Sequence, residues 1–163
     1  MNEDVVYKTL NSLNIKYDIF EHPPVPTIQD ALIHWKNIEC THCKNLFFRN
    51  HKGNKHFLVI LEYSQQLNIR DLEQRLRQGK ISFGSTKRLN KYLGLDPGSV
   101  TPFGLINDKN NEVHVFMDEN LRKSERISFH PNVNTKSLRL LWTDFEKYLE
   151  WTGNTIEFRK LYD

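Results

Sequence analysis

The stretch LFFRNHKGNKHFLVIL, residues 46–61, decides the fold. Apolar runs of strand length at 46–48 and 57–61 flank a polar turn, NHKGN, at 50–54. Gly53 can adopt the positive φ that a hairpin turn requires. Apolar residues at successive rather than alternate positions are typical of strands that are covered on both faces of a sheet. The stretch therefore predicts a hairpin of two central strands.

Patterns typical of helices lie on both sides of this hairpin. Asn2, Thr27 and Thr143 are suitable N-cap residues, and the last two are followed three positions later by an acidic residue, as in a capping box. Basic helices are predicted over 71–78 and 86–93. Glycines that would end the last three helices follow at positions 79, 94 and 153.

Further strand patterns complete the predicted sheet. They lie at 17–21, 103–106, 112–117, 127–130 and 137–141. The segments 103–106 and 112–117 are predicted to pair as a second hairpin across a polar turn. The mixture of hairpins and helices favours an α+β fold over a doubly wound sheet. We therefore predict a single domain, spanning the whole chain, with a mixed central sheet and flanking helices.

Composition limits the class of protein. The chain has 163 residues, of which 38% are hydrophobic and 26% are charged, and this is a globular balance. No apolar run approaches the ~20 residues that cross a bilayer, and the first residues lack the apolar segment of a signal peptide. Only 2 cysteines are present, which excludes a disulfide scaffold and indicates a reducing compartment. We expect a cytoplasmic monomer.

Positive charge is concentrated in one part of the chain. The net charge is +3 overall, whereas residues 44–91 contain eleven Lys or Arg and three Asp or Glu, a local net charge of +8. Such a block is either a solvated helical face or a surface that attracts a polyanion. Because phosphate neutralisation supplies most sequence-independent affinity for nucleic acids, a nucleic acid would be such a polyanion.

Cys40 and Cys43 form a C-x-x-C pair. A structural zinc site needs four ligands and the chain has no second pair, whereas a redox pair would begin a helix and here a strand follows. We interpret the pair as packed thiols, and we predict no metal and no cofactor. The chain also lacks the G-x-S-x-G, H-E-x-x-H and P-loop motifs. If it is an enzyme, its catalyst would combine backbone amides, a lysine and a water.

Two weaker motifs lie in the second half of the chain. The segment GSVTP, residues 98–102, is a tight loop that can present its amides to a carbonyl or a phosphate, although a plain turn has the same pattern. His130, in the segment FHPNVN, follows a predicted strand. A lone histidine is more often structural than catalytic, so neither motif decides the function alone.

Together with CKNLFFR at 43–49 and HPPV at 22–25, these motifs resemble the YbaK/prolyl-tRNA-synthetase-associated domain family. The resemblance is to its free-standing prolyl-tRNA deacylases of the ProX or PrdX type, which edit alanine. It runs from about residue 5 to about residue 157. Each motif alone has low specificity, but four of them occur in the family's order and spacing.

The resemblance implies a trans-editing hydrolase that cleaves the ester between a wrong amino acid and the terminal adenosine of tRNA(Pro). A synthetase pocket cannot strongly reject a smaller amino acid, so a second site hydrolyses the product. Lys44-Asn45 and the segment around His130 are more similar to the alanine editors, and Ala-tRNA(Pro) is therefore the expected substrate. Two alternatives are a Cys-tRNA(Pro) deacylase of the YbaK type and a non-catalytic module that binds tRNA or the synthetase.

The resemblance also implies roles for individual residues. Lys44 would position the ester, and Asn45 would support the same end of the substrate. His130 would orient the α-amine or the water, and His34 would line the amino-acid pocket. The ester carbonyl or the attacking water would be held by the loop of Gly98, Ser99, Val100, Thr101 and Pro102.

The acceptor stem of the tRNA would lie on the basic helices. Its phosphates would be contacted by cations spread over both helices and the segment between them, namely Arg75, Lys80, Lys87 and Arg88. Prolyl-tRNA synthetase is a further potential partner of such a protein.

Overall fold

Eight strands form one mixed sheet that is covered by helices in the computed structural model, which describes residues 2–24, 32–33, 35–36 and 38–163. The strands are β1 (Asp18–Glu21), β2 (Thr41–Asn50), β3 (His56–Glu62), β4 (Ile81–Phe83), β5 (Val113–Asp118), β6 (Arg126–Phe129), β7 (Lys136–Leu141) and β8 (Ile156–Arg159). The helices of the described residues include α1 (Asn2–Ser12), α2 (Ile69–Leu76), α3 (Thr86–Leu93) and α4 (Trp142–Thr152). None of the helices in these ranges is long and apolar enough to cross a bilayer.

The order of strands across the sheet is β1-β7-β6-β2-β3-β5-β8. The pairs β2–β6, β3–β5 and β5–β8 are parallel, and the pairs β1–β7, β6–β7, β2–β3 and β2–β4 are antiparallel. The predicted α+β class with a mixed central sheet is therefore confirmed. β2 pairs with β6 near its start and with β4 near its end, along the same edge.

β3 is buried along almost its whole length because both faces of the sheet are covered, as its continuous apolar run predicts. Leu58 and Ile60 face a large core that includes residues of α1, α3 and α4. Phe57, Val59 and Leu61 face a smaller core that includes Leu72 and Leu76 of α2. We call these two sides of the sheet the α3 face and the α2 face.

The predicted central hairpin is confirmed. β2 and β3 pair from Cys43↔Glu62 to Arg49↔His56, and Gly53 in the turn has a φ of 73°. Helix α3 has its predicted bounds and ends at Gly94 in the left-handed conformation. Helix α2 ends differently, because Arg77 rather than Gly79 adopts the left-handed conformation at its C-cap.

The predicted second hairpin is wrong. Residues Pro102–Asn107 form a 3₁₀ helix instead of a strand. The Oγ1 atom of Thr101 accepts a hydrogen bond from the backbone N–H of Phe103, and Pro102 occupies the first turn, where its missing N–H costs nothing. Only the second predicted strand of this hairpin exists, as β5, and it lies parallel to β3.

The predicted N-cap at Thr143 is also wrong. Helix α4 begins at Trp142, directly after β7, and its N-cap residue Leu141 makes no side-chain capping bond. The helix does end at Gly153, as predicted. The short strands β4 and β8 were not predicted, and the predicted helix start at Thr27 lies outside the described residues.

Candidate active site

Lys44 and Asn45 lie next to each other on β2, so their side chains point to opposite faces of the sheet. Lys44 is on the α2 face with Leu46, and its Nζ atom donates a hydrogen bond to the backbone carbonyl of Gln65. Asn45 is on the α3 face with Cys43 and has a buried Oδ1 atom without a hydrogen-bond partner among the described residues. The expectation that both side chains support one end of the substrate is therefore not met by this geometry.

The strands β2 and β6 separate beside Lys44. They pair in parallel only at Thr41↔Ile127 and His42↔Ser128, and β2 next pairs on this side with β4, from Phe48 onward. Within the described chain, no strand pairs with residues 43–46 along this edge, and the carbonyl of Phe47 accepts a hydrogen bond of 2.9 Å from the N–H of Gly84. Main-chain groups and side chains at this gap are therefore available to a ligand that enters between the two strands.

His130 follows β6 at the same gap. Ile127 and Phe129 belong to the core on the α3 face, so the intervening Ser128 lies on the α2 face. The ring of His130 lies 5.7 Å from the ring of His22, measured between centroids, and Nε2 of His22 is 2.9 Å from the hydroxyl of Ser137. His130 thus lies one residue beyond the end of β6, the strand next to β2, and alternation along β6 puts it on the side of Ser128 and Lys44.

Burial and its backbone partner define the protonation of His130. Its Nδ1 atom lies 2.7 Å from the carbonyl oxygen of Lys136, so Nδ1 carries the proton and Nε2 is the acceptor of the neutral ring. Burial lowers the pKa of His130 below its usual value of 6.5, although the bond to Lys136 opposes this shift. A neutral acceptor at this position can orient an ammonium group or a water molecule.

The loop of residues 98–102 reaches the end of β6 through Asn134. Gly98 has a φ of 90°, which is strained for residues with a side chain. The Nδ2 atom of Asn134 is the one atom of the described residues near a Cβ at position 98, at 3.8 Å. Asn134 belongs to the turn that follows His130, so the loop and His130 lie at the same end of the sheet.

The loop presents amides that have no acceptor within the described chain. The N–H of Ser99 donates to the carbonyl of Asp96, whereas the N–H groups of Gly98, Val100 and Thr101 donate to no described residue. Thr101 is fully buried. Its amide is therefore shielded from bulk water, whereas Gly98 at the start of the loop is exposed and open to a ligand.

Thr101 and Pro102 fix the loop rather than line it. The side chain of Thr101 caps the 3₁₀ helix, and the carbonyl of Pro102 accepts a hydrogen bond of 2.8 Å from the buried hydroxyl of Tyr148. Ser99 is buried, and the half-buried Val100 packs against the core of the α3 face. The chemical capacity of this loop therefore lies in its backbone.

An aromatic cluster around His42 was not predicted. The ring of His42 stacks on Trp35 with centroids 4.4 Å apart, and Trp35 meets Tyr63 edge-on at 5.2 Å. Nε2 of His42 lies 3.0 Å from the carbonyl of Ile38, and burial lowers the pKa of this ring. His42 is two residues from Lys44 and shares its face, a relationship that the strand period could have indicated.

The two cysteines are free thiols with suppressed acidity. Burial raises the pKa of Cys40 to about 11 and that of Cys43 well above its usual value. Neither sulfur is therefore a thiolate near neutral pH. In the described parts of the chain, no three His, Cys, Asp or Glu residues are grouped so that they could hold a metal ion.

The predicted tRNA contacts do not form one surface. Helix α2, with Arg75, packs on the α2 face, whereas α3, with Lys87 and Arg88, packs on the α3 face. Arg75 is engaged by Asp71, by Asp163 and by the carbonyl of Lys160. Lys80 and Lys87 are exposed.

Arg88 has a structural partner of its own. Its Nη1 atom donates to the carbonyl of Gly53 at 2.8 Å and lies 2.9 Å from Nε2 of His56. Burial, with Arg88 as the second cause, lowers the pKa of His56 to about 4. The neutral ring of His56 thus accepts the hydrogen bond of the guanidinium group, so Arg88 holds the hairpin turn against α3.

The structure places His130 and the loop at Gly98 at the same end of the sheet, and it places Lys44 beside the gap between β2 and β6. Lys44 lies on the α2 face, whereas the loop and Asn45 lie on the α3 face, so a ligand that contacts both Lys44 and the loop would have to enter this gap. The two basic helices lie on opposite faces. His34 lies outside the described residues. An ammonium group, a neutral imidazole and unpaired amides can together position an ester and stabilise the oxyanion that forms when water attacks it.

Residues 22–148 match the aminoacyl-tRNA editing domain family, so the chain belongs to this family of aminoacyl-tRNA deacylases. It is 38% identical to the Prolyl-tRNA editing protein ProX of Acetoanaerobium sticklandii over 156 residues, which cover 95% of this chain and 94% of that protein. It is 29% identical to the mouse Prolyl-tRNA synthetase associated domain-containing protein 1, with 89% of this chain and 88% of that one covered.

The fold is also similar to a solved structure. A crystal structure described as that of a candidate trans-editing enzyme for prolyl tRNA synthetase superposes with a TM-score of 0.70. The two chains are 18% identical, and the match covers 98% of this chain and 96% of the other. At this identity the likeness concerns the fold alone.

Proposed function

We propose that this protein is a trans-editing deacylase that hydrolyses tRNA(Pro) mischarged with a small amino acid, alanine above all. The observation that carries the proposal is the 38% identity to the Prolyl-tRNA editing protein ProX along nearly the whole of both chains. The geometry at Lys44, His130 and Gly98 fits the chemistry, because it supplies positioning and charge stabilisation without a nucleophilic side chain.

In the proposed reaction, water attacks the ester carbonyl that links the amino acid to the terminal ribose. The ammonium of Lys44 holds the ribose or the adjacent phosphate and so places the ester. The unpaired amides of Gly98, Val100 and Thr101 stabilise the negative charge that develops on the carbonyl oxygen. His130 accepts a hydrogen bond from the α-ammonium or the water, and a ribose hydroxyl of the substrate assists the proton transfer.

The remaining predicted residues have lesser roles in this proposal. Ser99 and Pro102 shape the loop, and His34 lines the amino-acid pocket. Asn45 faces the side of β2 opposite to Lys44, so it does not share a contact with that lysine. The substrate is a tRNA(Pro), and the protein acts in the cytoplasm as a monomeric single domain, with prolyl-tRNA synthetase as a transient partner.

Alanine is the proposed amino acid because a small site can admit it and exclude proline. A hydrophobic pocket discriminates one methylene by only ~1–3 kcal/mol, so a synthetase that accepts proline also accepts alanine. A second site that is too small for proline reverses the preference. Cysteine is of similar size, and the relative rates on alanine and cysteine are therefore the decisive measurement.

The test compares deacylation of Ala-, Cys- and Pro-tRNA(Pro) by the intact protein. We expect Ala-tRNA(Pro) to be hydrolysed fastest and Pro-tRNA(Pro) to be spared. Lys44→Ala should lower kcat/KM on Ala-tRNA(Pro), whereas Lys52→Ala, which removes an exposed lysine in the hairpin turn, should not. Faster hydrolysis of Cys-tRNA(Pro) would overturn the alanine assignment, and no hydrolysis of any of the three would overturn the proposed function.

A further inference from the structure

Phe83 is a large aromatic side chain that is 57% exposed. It belongs to the three-residue strand β4 and is paired in register with Phe48 of β2. The two rings stack with their centroids 4.6 Å apart and an interplanar angle of 25°. Phe48 is fully buried, so its fixed ring packs against one face of the Phe83 ring. A rigidly supported ring that is open to solvent is suited to receive another flat ring.

Phe83 lies on the same face of the sheet as Lys44. Residues that are directly paired across two antiparallel strands share a face, so Phe83 is on the α2 face with Phe48. Lys44 is four residues before Phe48 on β2 and therefore shares that face. At ~3.3 Å per strand residue, the two positions on β2 are about 13 Å apart. This span equals a few stacked nucleotides at ~3.4 Å each.

Exposed cations occur on the segments that lead into β4. Lys80 precedes β4 directly, and Arg70 and Arg77 lie on the exposed side of α2 or at its end. The helix is tied to β4, because Oε1 of Glu73 accepts a hydrogen bond of 3.0 Å from the backbone N–H of Ile81. Helix α2 and β4 thus form one connected unit on the α2 face, which carries the ring and these cations.

We infer that Phe83 stacks on an unpaired base of the tRNA 3′ end while its amino acid lies near Lys44. This inference rests on the proposed function, since it takes the ester to lie beside Lys44. Base stacking on an aromatic ring tolerates any base, and it suits a strand that is held by its phosphates. Lys80, Arg70 and Arg77 supply the charges that would neutralise those phosphates.

The surroundings of Phe83 favour RNA over a protein partner. A protein interface has a core of several apolar side chains that is depleted in charge. Here, the neighbours of Phe83 on the paired strands are the buried Phe48 and the polar, exposed Ser82, and exposed cations lie on the segments before β4. A single-stranded nucleic acid needs a ring on which a base can stack and cations near its phosphates, and this part of the molecule has both.

The experiment measures binding of an uncharged RNA hairpin that mimics an acceptor stem with an unpaired CCA end, by fluorescence anisotropy. Phe83→Ala should weaken binding about 5- to 150-fold, the range reported by alanine substitution at stacked bases. Phe83→Trp should retain the affinity, and Phe83→Leu should not, because leucine replaces the apolar area without the ring. A blunt hairpin that lacks the unpaired end should bind the wild type and Phe83→Ala equally.

A matched control comes from the other side of the molecule. Trp151 is also an exposed aromatic residue, 47% accessible, but it lies on α4, which packs on the α3 face. Trp151→Ala should leave RNA binding unchanged. Thermal unfolding of both alanine variants tests whether they are folded. We expect both to fold, because both side chains are substantially exposed.

The outcomes separate this inference from the proposed function. If none of the aminoacyl-tRNAs is hydrolysed but binding of the uncharged hairpin still depends on Phe83, the stacking inference stands and the proposed reaction is wrong. If deacylation is confirmed and Phe83→Ala changes neither RNA affinity nor KM, the inference is overturned. If Phe83→Ala binds RNA as the wild type does but associates more weakly with prolyl-tRNA synthetase, the surface binds a protein. That result would also overturn the stacking inference.

Discussion

The Nδ1 atom of His130 lies 2.7 Å from the carbonyl oxygen of Lys136, and this contact assigns the proton of the neutral ring to Nδ1. Nε2 is therefore an acceptor near the end of β6. Burial lowers the pKa of His130, so the ring is neutral at pH 7 and becomes a cation only in acid. Protonation would convert Nε2 from an acceptor into a donor and would place a second positive charge near Lys44.

We predict that kcat/KM for deacylation is constant near neutral pH and decreases in acid, with a midpoint below 6.5. His130→Ala should lower kcat by about 10²-fold, as expected for lost positioning, and should remove the acid limb of the profile. His51→Ala, at an exposed turn histidine, serves as the control. An unchanged acid limb in His130→Ala would assign the titration to another group.

The lowered pKa of His130 also makes the free energy of unfolding depend on pH. Because the unfolded chain binds this proton at a higher pH than the folded protein, the free energy of unfolding should decrease as the pH falls below about 6.5. It should continue to decrease until the folded pKa of His130 is passed. Thermal unfolding of the wild type and His130→Ala between pH 7 and 4 measures this contribution as a difference in slope.

Gly98→Ala should abolish most activity at a small cost in stability. A Cβ at a φ of 90° is strained, so the loop amides would rotate away from the oxyanion position. Gly79→Ala introduces similar strain at a φ of 76°, with no atom within 4 Å, outside the loop. Both variants should lose ~1–2 kcal/mol of stability, and Gly98→Ala alone should lose about 10²- to 10³-fold in kcat. Equal activity of the two variants would remove the loop from the mechanism.

The pKa of His56 should respond to Arg88. Burial is the main cause of its low value of about 4, and Arg88 is the second, so Arg88→Gln should raise the pKa without restoring 6.5. Lys91→Gln should raise it less, because Lys91 lowers the pKa of His56 by less than Arg88 does. NMR titration of the imidazole protons measures both shifts. A larger shift in Lys91→Gln would show that the guanidinium does not hold the hairpin turn in solution.

Tyr148→Phe should destabilise the protein and loosen the loop. The buried hydroxyl of Tyr148 donates to the carbonyl of Pro102, and its removal leaves that carbonyl without this partner. We expect a loss of about 1–3 kcal/mol in the free energy of unfolding. Tyr17→Phe removes an exposed hydroxyl bond to Asn11 and should change stability by less than ~0.5 kcal/mol. Urea denaturation of both variants distinguishes these values.

Cys40→Ala should retain the deacylation rate of the wild type. The thiol of Cys40 has a pKa of about 11 and is protonated at neutral pH, so it cannot act as a nucleophile there. For the same reason, alkylation by iodoacetamide should be slow at pH 7 and accelerate above pH 9. A loss of activity in Cys40→Ala with an unchanged melting temperature would support a thiol-dependent reaction.

Local patterns determined the parts of the fold that depend on neighbouring residues. The apolar runs around Gly53 predicted the β2–β3 hairpin, and the glycine at position 94 predicted the end of α3. These elements follow from backbone preferences and from a period of hydrophobicity that a sequence carries by itself. The 3₁₀ helix at Pro102 was missed because a short apolar segment is compatible with either a strand or a tight helix.

The candidate site depends on contacts between segments that are distant in sequence. Sequence motifs pointed to Lys44, His130 and the Gly98 loop. The resemblance to a family then implied roles for these residues. Sequence could not show that β2 and β6 part beside Lys44, that Asn134 joins the loop to the end of β6, or that α2 and α3 lie on opposite faces. Strand pairing and helix packing decide these relationships, because they minimise exposed apolar area over the whole chain rather than within any one segment.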